Sequence, residues 1–185
     1  MQKTVSELFP ENSAGECHKW ANYLEVYERH FSFFRGKKPV ILEIGVRRGG
    51  SLDVWKKYFG SDSTIVGIDI DPSCQRMQSH GFHIHIGDQS DENFLEKVLG
   101  GYQEFDVVID DGSHIGSHMI KSFEYIYQNI KQDVHLCSIA GGTDLVGCLV
   151  LGNLYSNVYM GEIQGQSLGI DVDVFTNEGK SVKDG

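Results

Sequence analysis

A glycine-rich turn between two short apolar runs constrains the fold of this chain more than any other stretch. Val40–Ile44 is a run without polar alternation, which is typical of a strand buried on both faces of a parallel sheet. Gly45, Gly49 and Gly50 follow at once, so the chain can turn sharply and a ligand can approach bare backbone. An amphipathic stretch then leads to a second apolar run at residues 64–70. The pattern predicts a strand, a helix and a second parallel strand.

The polar residues of this unit indicate what kind of ligand it binds. The dinucleotide fingerprint G-x-G-x-x-G does not fit, because the turn reads Glu43-x-Gly45-x-x-x-Gly49. Glu43 would repel a pyrophosphate, but it could hold the amino group of a cationic cofactor directly or through water. Asp69, at the end of the second run, can accept hydrogen bonds from both ribose hydroxyls. Ser51 is a candidate cap for the helix, and the pattern as a whole favours a nucleoside without phosphates.

Composition excludes several classes of partner. The chain of 185 residues has a formal net charge of −10 and no basic face visible in the sequence, which argues against a nucleic-acid partner. The same charge gives no support to an anionic membrane surface, and no apolar stretch approaches the ~20 residues needed to span a bilayer. No signal peptide is recognisable, and the four cysteines form no C-x-x-C pair. We therefore expect a soluble protein in the cytoplasm.

Further acidic residues follow the later predicted strands. Asp88 comes after a run at residues 82–86, and Asp110 and Asp111 come after a run at residues 105–109. The carboxyl ends of parallel strands meet at one edge, so these acids should join Glu43 and Asp69 there. Adjacent carboxylates repel one another unless a cation or a shared proton offsets the repulsion, and such oxygen ligands suit Mg²⁺. The alternative is that Asp110 caps the next turn while Asp111 is solvated.

The flanking segments fit helices around such a sheet. Residues 1–15 look irregular, whereas aromatic residues at helical spacing within residues 16–34 predict a helix that covers the sheet rather than an aromatic lid. Asp91 is a candidate cap for a helix through Leu99. His83 and His85 would share one face of the third strand, where structural use is favoured over metal binding.

Four motifs carry a resemblance to a known family. Glu43-Ile-Gly-Val-Arg-Arg-Gly-Gly-Ser51 and Gly67-Ile-Asp-Ile-Asp-Pro72 resemble motifs of class I S-adenosylmethionine-dependent methyltransferases. Gly87-Asp88-Gln89 and Val108-Ile-Asp-Asp-Gly-Ser-His114 narrow the resemblance to the macrolide-sugar O-methyltransferase and cephalosporin hydroxylase type. The resemblance extends from residue 1 to about residue 127.

This resemblance implies an enzyme that transfers a methyl group from S-adenosylmethionine to a hydroxyl of a small molecule. His114 would be the general base, and Asp110 and Asp111 would hold Mg²⁺ as a candidate second cofactor. Asp88 would lie near the adenine. The implied cofactor-binding residues are Glu43, Gly45, Gly49, Ser51, Asp69, Asp88 and Gln89.

The last third of the chain resembles a different family. Asp133-Val-His-Leu-Cys-Ser-Ile-Ala-Gly-Gly-Thr-Asp144 and the segment from Val158 to Gln164 are similar to acetoacetyl-CoA synthetase, one of the adenylate-forming ligases. The resemblance implies that Thr143 and Asp144 lie near the adenylate phosphate and its metal. The phosphate loop and the C-terminal lysine of such ligases are not recognisable here. The sequence therefore looks like a fusion of two truncated pieces.

Together these features predict an α/β protein with a Rossmann-like parallel sheet of the class I methyltransferase type. The sheet would be truncated after its fourth strand and continued by a β-rich foreign tail, with domains at residues 1–130 and 131–185. The alternative functions are an inactive ligase-like fragment and a non-catalytic nucleoside-binding module. The sequence indicates neither the methyl acceptor nor the oligomeric state.

Overall fold

A computed structural model describes residues 2–11, 17, 19, 21–130, 139–142, 147–151, 165–166 and 180–181. The chain forms two compact units, Met1–Asp133 and Val134–Gly185. In the first unit the elements are, in order, α1 (Val5–Glu11), α2 (Ala21–Phe31), a 3₁₀ turn (Ser32–Phe34), β1 (Val40–Ile44), α3 (Gly50–Phe59), β2 (Thr64–Asp69), a 3₁₀ helix (Pro72–His80), β3 (His83–Ile86), α4 (Glu92–Leu99), β4 (Val107–Asp110) and α5 (Gly116–Asn129).

The four strands of the first unit form one parallel sheet in the order β3-β2-β1-β4, as predicted. In register, Ile44 at the end of β1 lies opposite Ile68 of β2 and Asp110 of β4. The carboxyl ends of neighbouring strands therefore reach the same edge. This arrangement confirms the α/β sheet predicted from the apolar runs and their intervening helices.

Alternate residues of β1 enter two separate hydrophobic cores because successive side chains of a strand point to opposite faces. Ile41 belongs to the core that contains Trp55 and Phe59 of α3, whereas Leu42 belongs to the core that contains Phe105. All five side chains are 0 or 1% exposed. Burying a large apolar side chain stabilises a fold by roughly 1.5 to 3 kcal/mol, so β1 anchors both layers.

The aromatic face of α2 packs onto α3 through ring contacts. Tyr27 and Phe31 meet the Trp55 ring edge-on, at centroid distances of 5.2 and 5.6 Å. This confirms that the helix covers the sheet. It begins later than predicted, at Ala21, and residues 12–16, 18 and 20 lie outside the described part of the chain.

The prediction that residues 1–15 are irregular is wrong for α1. The Thr4 hydroxyl accepts from the Glu7 backbone N–H at 3.3 Å, and the Glu7 carboxylate accepts from the Thr4 backbone N–H at 2.7 Å. These reciprocal bonds are a capping box, which satisfies N–H groups that have no partner within the helix. The spacing Thr4-x-x-Glu7 was the available signal.

Two other helix starts had been predicted from side-chain type. Asp91 caps α4 as expected, accepting from the N–H groups of Asn93 and Phe94 at 3.0 and 3.3 Å. The prediction for Ser51 is wrong, because α3 begins at Gly50 and its capping residue is Gly49, at φ +81°. Ser51 lies within the first turn, which leaves its hydroxyl free to contact the sheet.

Tyr102 links the two histidines of β3. Its hydroxyl lies 3.1 Å from His83 Nδ1 and 3.2 Å from His85 Nε2. These contacts favour the structural use of the histidine pair.

The second unit contains three described strands, β5 (Ile139–Gly142), β6 (Gly147–Leu151) and β7 (Gly165–Gln166). They form a separate antiparallel sheet in the order β5-β6-β7. The predicted fifth strand at residues 134–139 falls outside the described residues except for Ile139. The predicted edge strand at residues 170–175, and Thr143 and Asp144, also lie outside them. No described helix has the length and apolar character required to cross a bilayer.

Candidate functional site

A pocket of about 590 Å³ opens at the carboxyl edge of the parallel sheet. Each of the four strands contributes to it through the residues at or just after its end. Gly45 follows β1, Asp69 ends β2, Asp88 follows β3 and Asp111 follows β4. Such an edge is where open α/β sheets bind ligands, and the volume suits a small organic molecule.

Glycine is required at the mouth of the turn. Gly45 has φ +94°, and a Cβ atom there would lie 2.2 Å from the backbone carbonyl oxygen of Asp111. The Gly45 N–H donates to the Ile68 carbonyl at 2.8 Å, which ties the turn to β2. The bare backbone that the sequence predicts here is therefore imposed by the close approach of the β1 and β4 loops.

Backbone donors hold the Asp69 carboxylate in one orientation. Oδ2 accepts from the N–H groups of Val46 and Arg47, both at 2.8 Å, and Oδ1 accepts from the Asp71 N–H at 2.9 Å. Partial burial raises the pKa of Asp69, but these donors outweigh it and hold the pKa below its usual value. Asp69 therefore carries a fixed negative charge on the wall of the pocket.

Glu43 is fully buried in β1, beneath the pocket wall. Its Oε2 accepts from the Ser51 hydroxyl at 2.9 Å, and its Oε1 has no hydrogen-bond partner. Burial raises the pKa of Glu43 to about 7, against the opposing effects of Lys19 and Ser51. The Trp55 indole also lowers this pKa slightly, yet its N–H makes no hydrogen bond of normal geometry, so we treat Oε1 as unpartnered. Ser51 lines the pocket and Glu43 does not.

Lys19 brings a buried positive charge to the same end of the pocket. Its side chain is 7% exposed, and its ammonium forms an ion pair with Asp111. Burial lowers the pKa of Lys19, but nearby Glu43, Tyr27 and Asp111 outweigh it, so that the pKa lies above its usual value. The ammonium therefore stays charged at neutral pH.

Asp110 and Asp111 reach the same edge but have different partners. Asp110 accepts from the Ser122 hydroxyl at 2.8 Å, from the Gln89 amide at 3.1 Å and from the Gly112 N–H at 3.1 Å. Asp111 lines the pocket, whereas Asp110 does not. In the part of the chain that the structure describes, no three His, Cys, Asp or Glu residues lie close enough together to hold a metal ion. The shared metal site remains a prediction.

His114 extends from the loop after β4. Its side chain is 75% exposed, and Nε2 lies 3.4 Å from Asp111 Oδ1. Its backbone has φ +54°, an unusual conformation for a residue with a side chain, which the loop geometry must support. Asp111 is therefore in position to orient the imidazole.

The loop after β3 joins the site through two further polar residues. The Asp88 carboxylate accepts from the backbone N–H and the hydroxyl of Ser90, both at 2.8 Å, and these bonds lower its pKa. The Gln89 carbonyl oxygen accepts from the Ser113 N–H at 2.8 Å. Gln89 thus braces the β4 loop while also lining the pocket.

The structure brings most of the predicted site residues together. Those that line the pocket are Gly45, Ser51, Asp69, Asp88, Gln89, Asp111 and His114, while Glu43, Gly49 and Asp110 lie outside the lining. Sequence reasoning missed Lys19, Cys17 and Ser122. No motif or period marks Lys19 or Cys17. Ser122 lies three turns along α5 from the loop that carries its partner Asp110.

The first unit resembles enzymes that act on sugars of natural products. It is 38% identical over 116 residues to mycinamicin VI 2''-O-methyltransferase of Micromonospora griseorubida, covering 57% of this chain and 28% of that protein. The first unit is methyltransferase-like. A solved structure of the MycE methyltransferase in complex with Mg, SAH and mycinamycin VI matches with a TM-score of 0.60 and 34% identity, covering 70% of this chain and 35% of the other. The chain thus spans about a third of the length of these methyltransferases.

A short segment is similar to a second kind of enzyme. It is 54% identical over 63 residues to acetoacetyl-coenzyme A synthetase of Rhizobium meliloti, covering 34% of this chain and 10% of that protein. No protein-family model matches the chain.

Proposed function

We propose that the first unit binds S-adenosylmethionine at the carboxyl edge of its sheet and transfers the methyl group to a hydroxyl of a sugar-bearing small molecule. The observation that carries this proposal is the buried, unpartnered Oε1 of Glu43, one hydrogen bond away from a pocket-lining serine. An acid buried without a partner is costly, and a bound cation would offset that cost. The similarity to sugar O-methyltransferases supports the choice of cofactor.

The described residues fit the parts of this cofactor. Glu43 and Ser51 would hold the amino group, and the bare backbone at Gly45 would allow the cofactor to approach β1. Asp69 would accept from the ribose hydroxyls, because its charge is fixed and its orientation is set by backbone donors. Asp88 and Gln89 would lie beside the adenine. Gly49 would shape the helix start without touching the ligand, since Met77 covers it.

Catalysis would consist mainly of holding two reactants in line. When bound, the cofactor supplies a methyl group whose bond to sulfur breaks as the bond to the substrate oxygen forms, and sulfur keeps the electron pair. His114 would accept the hydroxyl proton on its imidazole, with Asp111 orienting the ring from 3.4 Å away. The exposure of His114 would allow it to reach a substrate that arrives from solvent.

Mg²⁺ is a candidate second cofactor for the same site. Mg²⁺ is commonly held by one or two carboxylates, with water and substrate oxygen as the other ligands. Asp111 fits the role of first ligand because it lines the pocket and is 42% exposed. Asp110 could join only by giving up hydrogen bonds to Ser122, Gln89 or Gly112. The ion would lower the pKa of the substrate hydroxyl.

We also propose that the chain joins two pieces of different origin, with the second unit devoid of ligase activity. The similarity to the synthetase supports this origin, and it covers 10% of that enzyme. Incubation with acetoacetate, ATP and CoA should release no AMP above background. AMP release that depends on Thr143 would contradict this part of the proposal.

Calorimetry with S-adenosylhomocysteine tests the cofactor assignment. Asp69→Asn should weaken binding by about 1 to 3 kcal/mol, because it replaces a charged acceptor of the ribose hydroxyls. Asp62→Asn is the matched control, since Asp62 lies in an exposed ion pair 3.6 Å from Lys38 and does not line the pocket. Circular dichroism would verify that both variants are folded. Folded wild-type protein that gives no binding heat, or equal affinity in Asp69→Asn, would contradict the assignment.

A further inference from the structure

We propose that Lys19 and Glu43 together recognise an α-amino-acid group, with Lys19 binding its carboxylate and Glu43 its ammonium. This inference rests on the proposed cofactor, whose methionine portion is such a group. It adds a binding residue, Lys19, and a chemical requirement for the ligand: a carboxylate beside the amine.

The two side chains present opposite charges at the same end of the pocket. Lys19 lines the pocket directly, and Glu43 is one hydrogen bond behind Ser51, which also lines it. Glu43 influences the ionisation of Lys19 more than any other charged group does, so the two charges lie close together. The distance between their charges is thus suited to a ligand that carries both signs on one carbon atom.

Each of the two groups has unused hydrogen-bonding capacity. Glu43 Oε1 has no partner. An ammonium carries three N–H donors, and Asp111 is the acceptor seen for Lys19 among the described residues. A ligand ammonium would complete Glu43, and a ligand carboxylate would complete Lys19 without displacing Asp111.

The burial of these groups is difficult to explain by stability alone. Lysine side chains usually extend their charge into water, yet that of Lys19 is 7% exposed, while its partner Asp111 is 42% exposed. Burying ions costs free energy that a single ion pair often does not recover. Such a cost is understandable where the ions are kept ready for a charged ligand.

The arrangement also predicts which related ligands are rejected. A nucleoside without the amino-acid portion would leave Glu43 and Lys19 as they are and gain nothing from either. An amine without the carboxylate would satisfy Glu43 but would place a second cation beside Lys19. The simpler alternative is that Lys19 is only the counter-ion of Asp111, in which case its removal should affect all three kinds of ligand alike.

Three adenosyl ligands separate these possibilities by calorimetry. S-adenosylhomocysteine has both charged groups, S-adenosyl-3-thiopropylamine has the ammonium alone, and 5′-methylthioadenosine has neither. Lys19→Met should weaken S-adenosylhomocysteine about tenfold or more, the range for a hydrogen bond to a charged group, and should not weaken the amine. Glu43→Gln should weaken both ligands that carry an ammonium and leave 5′-methylthioadenosine unchanged. Lys57→Met, at an exposed position of α3, is the control.

The ligand series in the unchanged protein is informative even if a variant fails to fold. S-adenosylhomocysteine should bind most tightly, and equal binding of S-adenosylhomocysteine and the amine would overturn the role of Lys19. A loss of equal size for all three ligands in Lys19→Met would also overturn it, while the proposed cofactor site would stand. If none of the three ligands binds to folded protein, the proposed function fails and this inference fails with it.

Discussion

Replacing Glu43 by glutamine should change how the stability of this protein depends on pH. The carboxyl is fully buried, and its pKa is raised from an ordinary value of 4.5 to about 7. Between these values the folded chain holds a proton that the unfolded chain has released, so stability falls as pH rises. At 1.36 kcal/mol for each pH unit, the full loss is roughly 3 kcal/mol, complete somewhat above pH 7.

Glu43→Gln preserves the shape of the side chain and can still accept from Ser51, but it cannot ionise. The unfolding free energy of the variant relative to wild type should therefore change by roughly 3 kcal/mol between pH 5 and pH 8, in favour of the variant at pH 8. Urea unfolding followed by circular dichroism at each pH provides the measurement. Glu92→Gln, at an exposed position in the first turn of α4, controls for the loss of a carboxylate. A difference that stays constant from pH 5 to pH 8 would refute the reasoning.

The same proton should link pH to ligand binding. A ligand ammonium interacts more favourably with ionised Glu43, so affinity for S-adenosylhomocysteine should rise as pH increases from 6 to 8. In Glu43→Gln the rise should disappear. An unchanged pH profile in that variant would show that the ligand does not contact Glu43.

Three further changes test separate parts of the site. Gly45→Ala should cost about 2 kcal/mol or more by urea unfolding, because its Cβ would meet backbone, whereas Gly36→Ala, at φ +69° with open space around it, should cost less; equal costs would exclude the clash. If Asp111 binds Mg²⁺, the metal should raise the melting temperature with concentration in wild type but not in Asp111→Asn, and a flat curve up to millimolar Mg²⁺ would exclude the metal. His114→Ala should abolish transfer of a labelled methyl group to a sugar acceptor and leave binding of S-adenosylhomocysteine intact, whereas retained transfer would remove its role as base.

The sheet and its functional edge were predictable because they follow from local patterns. Apolar runs without alternation indicated buried parallel strands, and parallel strands deliver the residues at their ends to one edge. That reasoning placed Gly45, Asp69, Asp88 and Asp111 around one pocket, and the structure agrees. It needed no knowledge of how the helices pack.

The partners of individual side chains were not predictable in the same way. Asp110 and Asp111 are adjacent, but consecutive positions at a strand end point in different directions, and one carboxylate turned to Ser122 while the other turned to the pocket. Lys19 meets Asp111 across 92 residues of sequence. Ser51 contacts Glu43 because of how α3 packs over β1, and propensity alone suggested a capping role instead.

The central claim is that an adenosyl ligand binds at the carboxyl edge of the parallel sheet. Two-dimensional ¹H–¹⁵N nuclear magnetic resonance with increasing S-adenosylhomocysteine would test it directly, because each backbone amide reports its own position. The amides of Gly45, Val46, Ile70 and Gln89 should shift together and saturate at a single ligand concentration, while those of β6 should stay in place. Shifts that are confined to β5 and β6, or a spectrum that does not change in the presence of millimolar ligand, would contradict the claim.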